Sequence, residues 1–246
     1  CYKALAKIGF NDDKKEGETV DNEPIKRALA FCQNINISEI FEKEFAGVID
    51  EFKSNENIKE EYKTNLQINI KHVDGTFNAE RRNERLGWLK DDVEKDNCHV
   101  LTNVRCLSEG VDIPTLDSIM FLHPRKSQID VVQAVGRVMR KAEGKNLGYV
   151  VLPEAVAPGV SAEKALNDNE RYRVVWQILN ALRAHDERFD STINQLGIGE
   201  DVSNRLQILG VNSEELEATT AVVDEIKPKY EKKEEDEDGV GLNEEQ

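Results

Sequence analysis

Residues Ser127–Lys141 read SQIDVVQAVGRVMRK, and the stretch just before them, Leu101–Asp117, reads LTNVRCLSEGVDIPTLD. At about 100° per residue, Gln133, Gly136, Arg137 and Arg140 share one stripe of a helix, with Val131, Val132, Val135, Val138 and Met139 on its other side. The apolar side anchors such a helix to a sheet. The polar side sets two fixed cations and an amide around a glycine that permits close approach. Planar, bidentate guanidinium groups suit the oxygens of a terminal phosphate. A lone GRxxR is equally what a solvated helix face looks like, so its surroundings decide.

Those surroundings are alternating short strands and helices. Arg27–Cys32, Gln67–Val73, Cys98–Asn103, Asp117–His123 and Leu147–Pro153 read as strands. Ile37–Phe52, Asn78–Lys90 (capped by Asn78) and Ser127–Lys141 read as helices. That alternation predicts an α/β fold with a parallel sheet and right-handed crossovers. In such sheets the loops at the carboxyl ends of the strands bind ligands. Thr102 and Asn103 stand at one such end, with side chains able to bond a phosphate backbone. Gly110 and Asp112 follow in the connecting loop, where Asp112 is suited to accept from a ribose hydroxyl.

Four segments in this order resemble the motifs of the second lobe of superfamily 2 helicases. They are RALAFCQNINIS (Arg27–Ser38), HVDG (His72–Gly75), SEGVDIP (Ser108–Pro114) and QAVGRVMR (Gln133–Arg140). HVDGTFNAERRNERLGWLK and the late RYRVVWQILNALRAHDERFD extend the resemblance to the motor of Type ISP restriction–modification enzymes and related DEAD/DEAH-type translocases. It spans about residues 24–196. The resemblance implies a RecA-like parallel sheet flanked by helices, with a C-terminal helical extension. It implies that Arg137 and Arg140, beside Gln133, are arginine fingers for ATP with Mg²⁺ held mainly by a first lobe. Gly110, Asp112 and Gly136 would line the nucleotide, and Thr102, Asn103, Asn34 and Gly75 the track of a DNA strand. The implied partners are DNA, the first RecA-like lobe, and methyltransferase or target-recognition units of a parent protein. A non-catalytic DNA clamp or interaction module is the alternative, as is a lobe of a stand-alone repair or RNA helicase.

The expected layout is a linker at 1–23, the lobe at 24–157, a helical extension at 158–223 and an acidic disordered linker at 224–246. Residues 1–26 read as a loop. Cys1 at the start suggests a fragment of a longer polypeptide. Net charge is −15, yet residues 100–150 carry seven Lys/Arg against five Asp/Glu, so global acidity does not exclude a local phosphate contact. Residues 224–246, with ten acids and four lysines, cannot bury enough apolar area to order. No apolar run is long enough to cross a membrane. Cys1, Cys32, Cys98 and Cys106 show no metal or disulfide spacing and read as thiols of a reducing cytoplasm.

No G-x-x-x-x-G-K-[ST] occurs, and DERF at Asp186–Phe189 follows a helical pattern rather than a buried strand. Half an ATPase site is therefore expected, inactive alone. No metal site is expected. His72, His99, His123, Trp88 and Trp176 read as packing residues.

Overall fold

The computed structural model describes residues 1–8, 23–104, 113–123, 128–140, 142–143, 145, 147–153 and 179–180. Their elements run α1 (Tyr2–Leu5), β1 (Arg27–Phe31), α2 (Ile35–Ser54), β2 (Gln67–Val73), α3 (Ala79–Lys90), β3 (Asn97–Asn103), β4 (Ser118–Phe121), α4 (Gln128–Val138) and β5 (Tyr149–Val151). A 3-10 turn at Glu60–Tyr62 precedes β2. All five strands are parallel, in the order β2-β3-β1-β4-β5. Phe31 pairs with Asn103 on one side and Phe121 on the other, and Val73 with Asn103, so the carboxyl ends of four strands are level.

Strand chemistry follows position in the order. RALAF and SIMF, with neighbours on both sides and helices on both faces, are nearly continuous apolar runs. QINIKHV, at one end of the order, alternates and stays half-exposed through its first residues. Alternate residues of the inner strands feed two cores. Leu29, Phe31, Val73, Leu101, Ile119 and Phe121 pack with Leu89 of α3 and with Val131, Ala134, Val135 and Val138 of α4. Ala28, Ala30, Cys98, Val100 and Met120 face the other way, with Ile49 of α2 and Leu5 of α1. Leu29, Leu89 and Leu101 have no exposed surface, and truncating any one to Ala costs roughly 2–5 kcal/mol. Burial pushes the Cys98 thiol up, with Asp117 adding to the effect, so it packs rather than reacts.

The loop reading of residues 1–26 is corrected at its start. Tyr2–Leu5 is a helical turn with Leu5 fully buried and Tyr2 nearly so. The Tyr2 ring meets Phe52 edge-on at 5.6 Å, and its hydroxyl lies 2.9 Å from Thr64 Oγ1. Four residues are too few to show a helical period; tertiary burial fixes this turn. Among the described residues no helix is long and apolar enough to cross a membrane. The proposed extension at 158–223, the acidic segment at 224–246 and the DERF tetrad lie outside the described residues, apart from Leu179–Asn180.

Candidate functional site

Two connections leave the carboxyl edge of the sheet beside the end of β3, and each is fixed by local side-chain bonds. After β1, Asn34 Oδ1 accepts from the Ile37 amide at 2.9 Å and starts α2. After β2, Asp74 Oδ1 accepts from the Thr76 amide and hydroxyl, both at 2.6 Å, and Asn78 Oδ1 then caps α3 through the Arg81 amide at 2.8 Å. Gly75 stands exposed in that turn, with nothing within 4 Å of where a Cβ would sit. Thr102 and Asn103 end β3.

The sequence places Asn34, Gly75, Thr102 and Asn103 on one edge, and the structure brings them there. Their side chains are not alike in access. Asn34 and Gly75 are exposed, whereas Thr102 and Asn103 are fully buried. Thr102 Oγ1 donates to the Ser38 carbonyl at 3.2 Å, and Asn103 Nδ2 donates to the Ala30 carbonyl at 3.1 Å. Any role these two have toward a strand is therefore exerted through what they hold. Asn103 Oδ1 is buried without a hydrogen-bond donor.

A buried polar chain underlies the edge. His72 Nε2 lies 2.7 Å from Asp74 Oδ2, and His72 Nδ1 lies 2.6 Å from Ser38 Oγ. Ser38 Oγ donates to Thr102 Oγ1 at 2.9 Å. The His72 amide donates to Glu42 Oε1 of α2 at 3.0 Å. Ser38 and Thr102 have no exposed surface, and His72 and Asp74 have 3% each. Burial would push the Asp74 carboxyl up, but hydrogen bonds from Thr76 and His72 outweigh it and hold the group below the usual carboxylate range. His72 reads from sequence as a packing residue; the structure also gives it polar partners on both ring nitrogens. Ser38 and His72 are 34 positions apart, so only the HVDG motif at His72–Gly75 was visible beforehand. Glu39, His72 and Asp74 each bring an atom within 4.8 Å of the others, as a metal would need. Both ring nitrogens and both Asp74 oxygens already have protein partners. His99 and Trp88 do pack: their rings stack at 4.3 Å.

α4 carries the other candidate residues. Gln133 and Arg140 are exposed and Gly136 is buried, while Arg137 is only 8% exposed. Neither arginine lacks a partner. Arg137 is thus tucked beside the core rather than displayed on a solvated face, and Arg140 follows in the turn after the helix. Two residues not singled out from sequence fix this end of α4. Lys145 Nζ donates to the carbonyls of Val138 at 2.6 Å and Arg140 at 3.1 Å, closing the helix C-terminus. Burial lowers the Lys145 ammonium pKa, and Asp117 partly restores it. At Gly148, a Cβ would stand 2.5 Å from the Val138 carbonyl oxygen. Gly110 and Asp112 lie outside the described residues.

A family profile described as "Helicase conserved C-terminal domain" matches residues 14–142. Putative helicase 22 of Sulfolobus islandicus filamentous virus is 36% identical over 79 residues, which are 32% of this chain and 13% of that protein. Probable helicase A859L of African swine fever virus is 29% identical over 119 residues, 44% of this chain and 13% of that protein. Among solved structures, the ATP-dependent Type ISP restriction–modification enzyme LlaBIII bound to DNA is similar over 86% of this chain at 38% identity. The TM-score is 0.66, and the match is 13% of that enzyme. The chain thus spans about an eighth of the length of these relatives.

Proposed function

The chain belongs to the helicase conserved C-terminal domain family of superfamily 2, and on that premise we propose that it is the second motor lobe of an ATP-driven DNA translocase. The parent in this reading is a restriction–modification enzyme, with residues 158–223 coupling the motor to its other units. The observation that carries the proposal is the end of α4. A buried glycine lies next to Arg137, Arg140 follows one turn on, and Lys145 holds the terminal carbonyls. That construction sets two guanidinium groups on a fixed backbone, and their planar donor sets fit phosphate oxygens.

ATP with Mg²⁺, bound chiefly by a first lobe, would supply the phosphoryl group and its counter-charge. Arg137 and Arg140 would meet charge developing on that group when the lobes close, with Gln133 beside them and Gly110, Asp112 and Gly136 lining the nucleotide. Asn34 and Gly75 are the exposed positions suited to contact a DNA strand directly. Each closure would then move these contacts by one step.

The test uses a protein carrying both lobes. Arg140→Ala should cut ATP turnover by on the order of 10³–10⁵ while ATP affinity changes little, because the finger acts on the transition state. Arg140→Lys should rescue poorly, since an ammonium lacks the fork. Arg137→Ala should behave alike, with a stability control because that side chain is mostly buried. Normal turnover in Arg140→Ala would sink the finger assignment and leave the non-catalytic clamp as the better reading. So would an equal loss from Lys90→Ala.

A further inference from the structure

The hydroxyl protons of the buried chain can be counted. Thr102 has one, and at 3.2 Å it goes to the Ser38 carbonyl. Ser38 has one, and at 2.9 Å it goes to Thr102 Oγ1. Ser38 Oγ also lies 2.6 Å from His72 Nδ1, so this hydroxyl joins the ring to the end of β3. The 2.7 Å contact between Nε2 and Asp74 Oδ2 requires an N–H on Nε2, since a bare nitrogen against a carboxylate would repel it. The Glu39 carboxylate of α2 lies within 4.8 Å of the His72 and Asp74 ligand atoms, and Glu42 accepts from the His72 amide at 3.0 Å.

We propose that His72 and Thr102 are positioning residues, and that the hydrogen-bonded chain Thr102–Ser38–His72–Asp74–Thr76 fixes the start of α2, the Gly75 turn and the end of β3 in one register. The inference rests on the motor reading for its consequence, though not for its geometry. The clamp joins the start of α2, which carries Asn34, to the Gly75 turn and to the end of β3. A DNA strand lying across that edge would meet contacts whose spacing is set from beneath. Loss of a link would loosen the spacing without touching the arginines of α4. Thr102 would then affect DNA response although its side chain has no exposed surface.

Two measurements decide it. On this 246-residue chain, ring ¹⁵N and ¹H spectra of His72 should show an Nε2–H protected from exchange and hydrogen-bonded to Asp74. A ring with no proton held on Nε2 would overturn the chain. So would a stoichiometric Zn²⁺-induced shift of the ring, which would make the cluster a metal site. In the two-lobe protein, Thr102→Val should raise the DNA concentration giving half-maximal ATPase by about tenfold, the order expected for an orphaned buried hydrogen bond. ATP half-saturation should stay unchanged, and Thr102→Ser should restore the wild-type response. Should Thr102→Val not fold, Thr76→Ala at the exposed end of the chain should move the DNA response the same way. Unaltered DNA response in a folded Thr102→Val protein, or no rescue by serine, would refute the clamp. Arg140→Ala in the same protein separates the two readings: if it abolishes turnover while these variants do nothing, the motor stands and the clamp falls.

Discussion

Gly148→Ala should destabilise this chain, although the residue is exposed. The added Cβ would stand 2.5 Å from the Val138 carbonyl oxygen, 3.1 Å from its carbon and 3.4 Å from Val138 Cγ2. Ordinary contact begins near 3.4 Å, so the carbonyl or the entry to β5 must retreat by 3.4 − 2.5 = 0.9 Å. The obstacle is backbone, and the same oxygen accepts from Lys145 at 2.6 Å, so it cannot rotate away cheaply. Strain from overpacking of this kind costs roughly 1–3 kcal/mol. At 2–4 °C per kcal/mol for a chain of this size, a cost of roughly 2 kcal/mol lowers Tm by roughly 4–8 °C. Gly47→Ala, in the middle of α2 with open space at its Cβ, supplies the opposite sign. It should raise stability by about 0.4–1 kcal/mol. Thermal unfolding of the two variants beside the wild type is the assay. If Gly148→Ala melts at or above the wild type while Gly47→Ala behaves as expected, the close approach does not hold α4 and β5 together.

Lys145→Met should lower Tm and reduce turnover in the two-lobe protein together, because it uncaps the end of α4 that bears Arg137 and Arg140; a change in neither would discount the cap. His99 titrates below its ordinary 6.5, chiefly through burial, with Arg27 and Lys71 adding to the shift and the Trp88 carbonyl and Asp91 opposing it. Its stabilising contribution is therefore complete above pH 6.5 and fades as pH falls through the folded value. His99→Gln should flatten the loss of Tm between pH 7 and pH 5, and parallel curves for variant and wild type would contradict this. Deleting residues 224–246 should leave Tm nearly unchanged; a drop of several degrees would mean that the acidic segment docks.

Much of the frame was legible because it rests on local rules. Gln67–Val73 reads as a strand from its alternation, and Asn78 announces α3 through its cap. The parallel direction of the strands follows from their spacing by helices. The SEGVDIP and QAVGRVMR segments were readable by order and spacing, although Gly110 and Asp112 lie outside the described residues. The chain through Ser38, His72 and Thr102 was not readable, because its links span 34 and 64 positions and exist only once β2, β3 and β1 lie side by side. Helical periodicity puts Arg137 on a polar stripe, but it cannot tell that the stem is covered. Gly148 and Lys145 carry no pattern at all: one is needed for a distance to a backbone atom, the other for a helix end nearby.

The bond from the His72 amide to Glu42 also bears on colloidal behaviour. Among the described residues β2 ends the strand order, and a parallel edge strand leaves alternate amides without a neighbour, a template on which another chain can build. By seating a carboxylate on one of those amides, the protein places a negative charge where an incoming strand would have to bond. An amide closed in this way is one fewer bonding point for the strand of another copy.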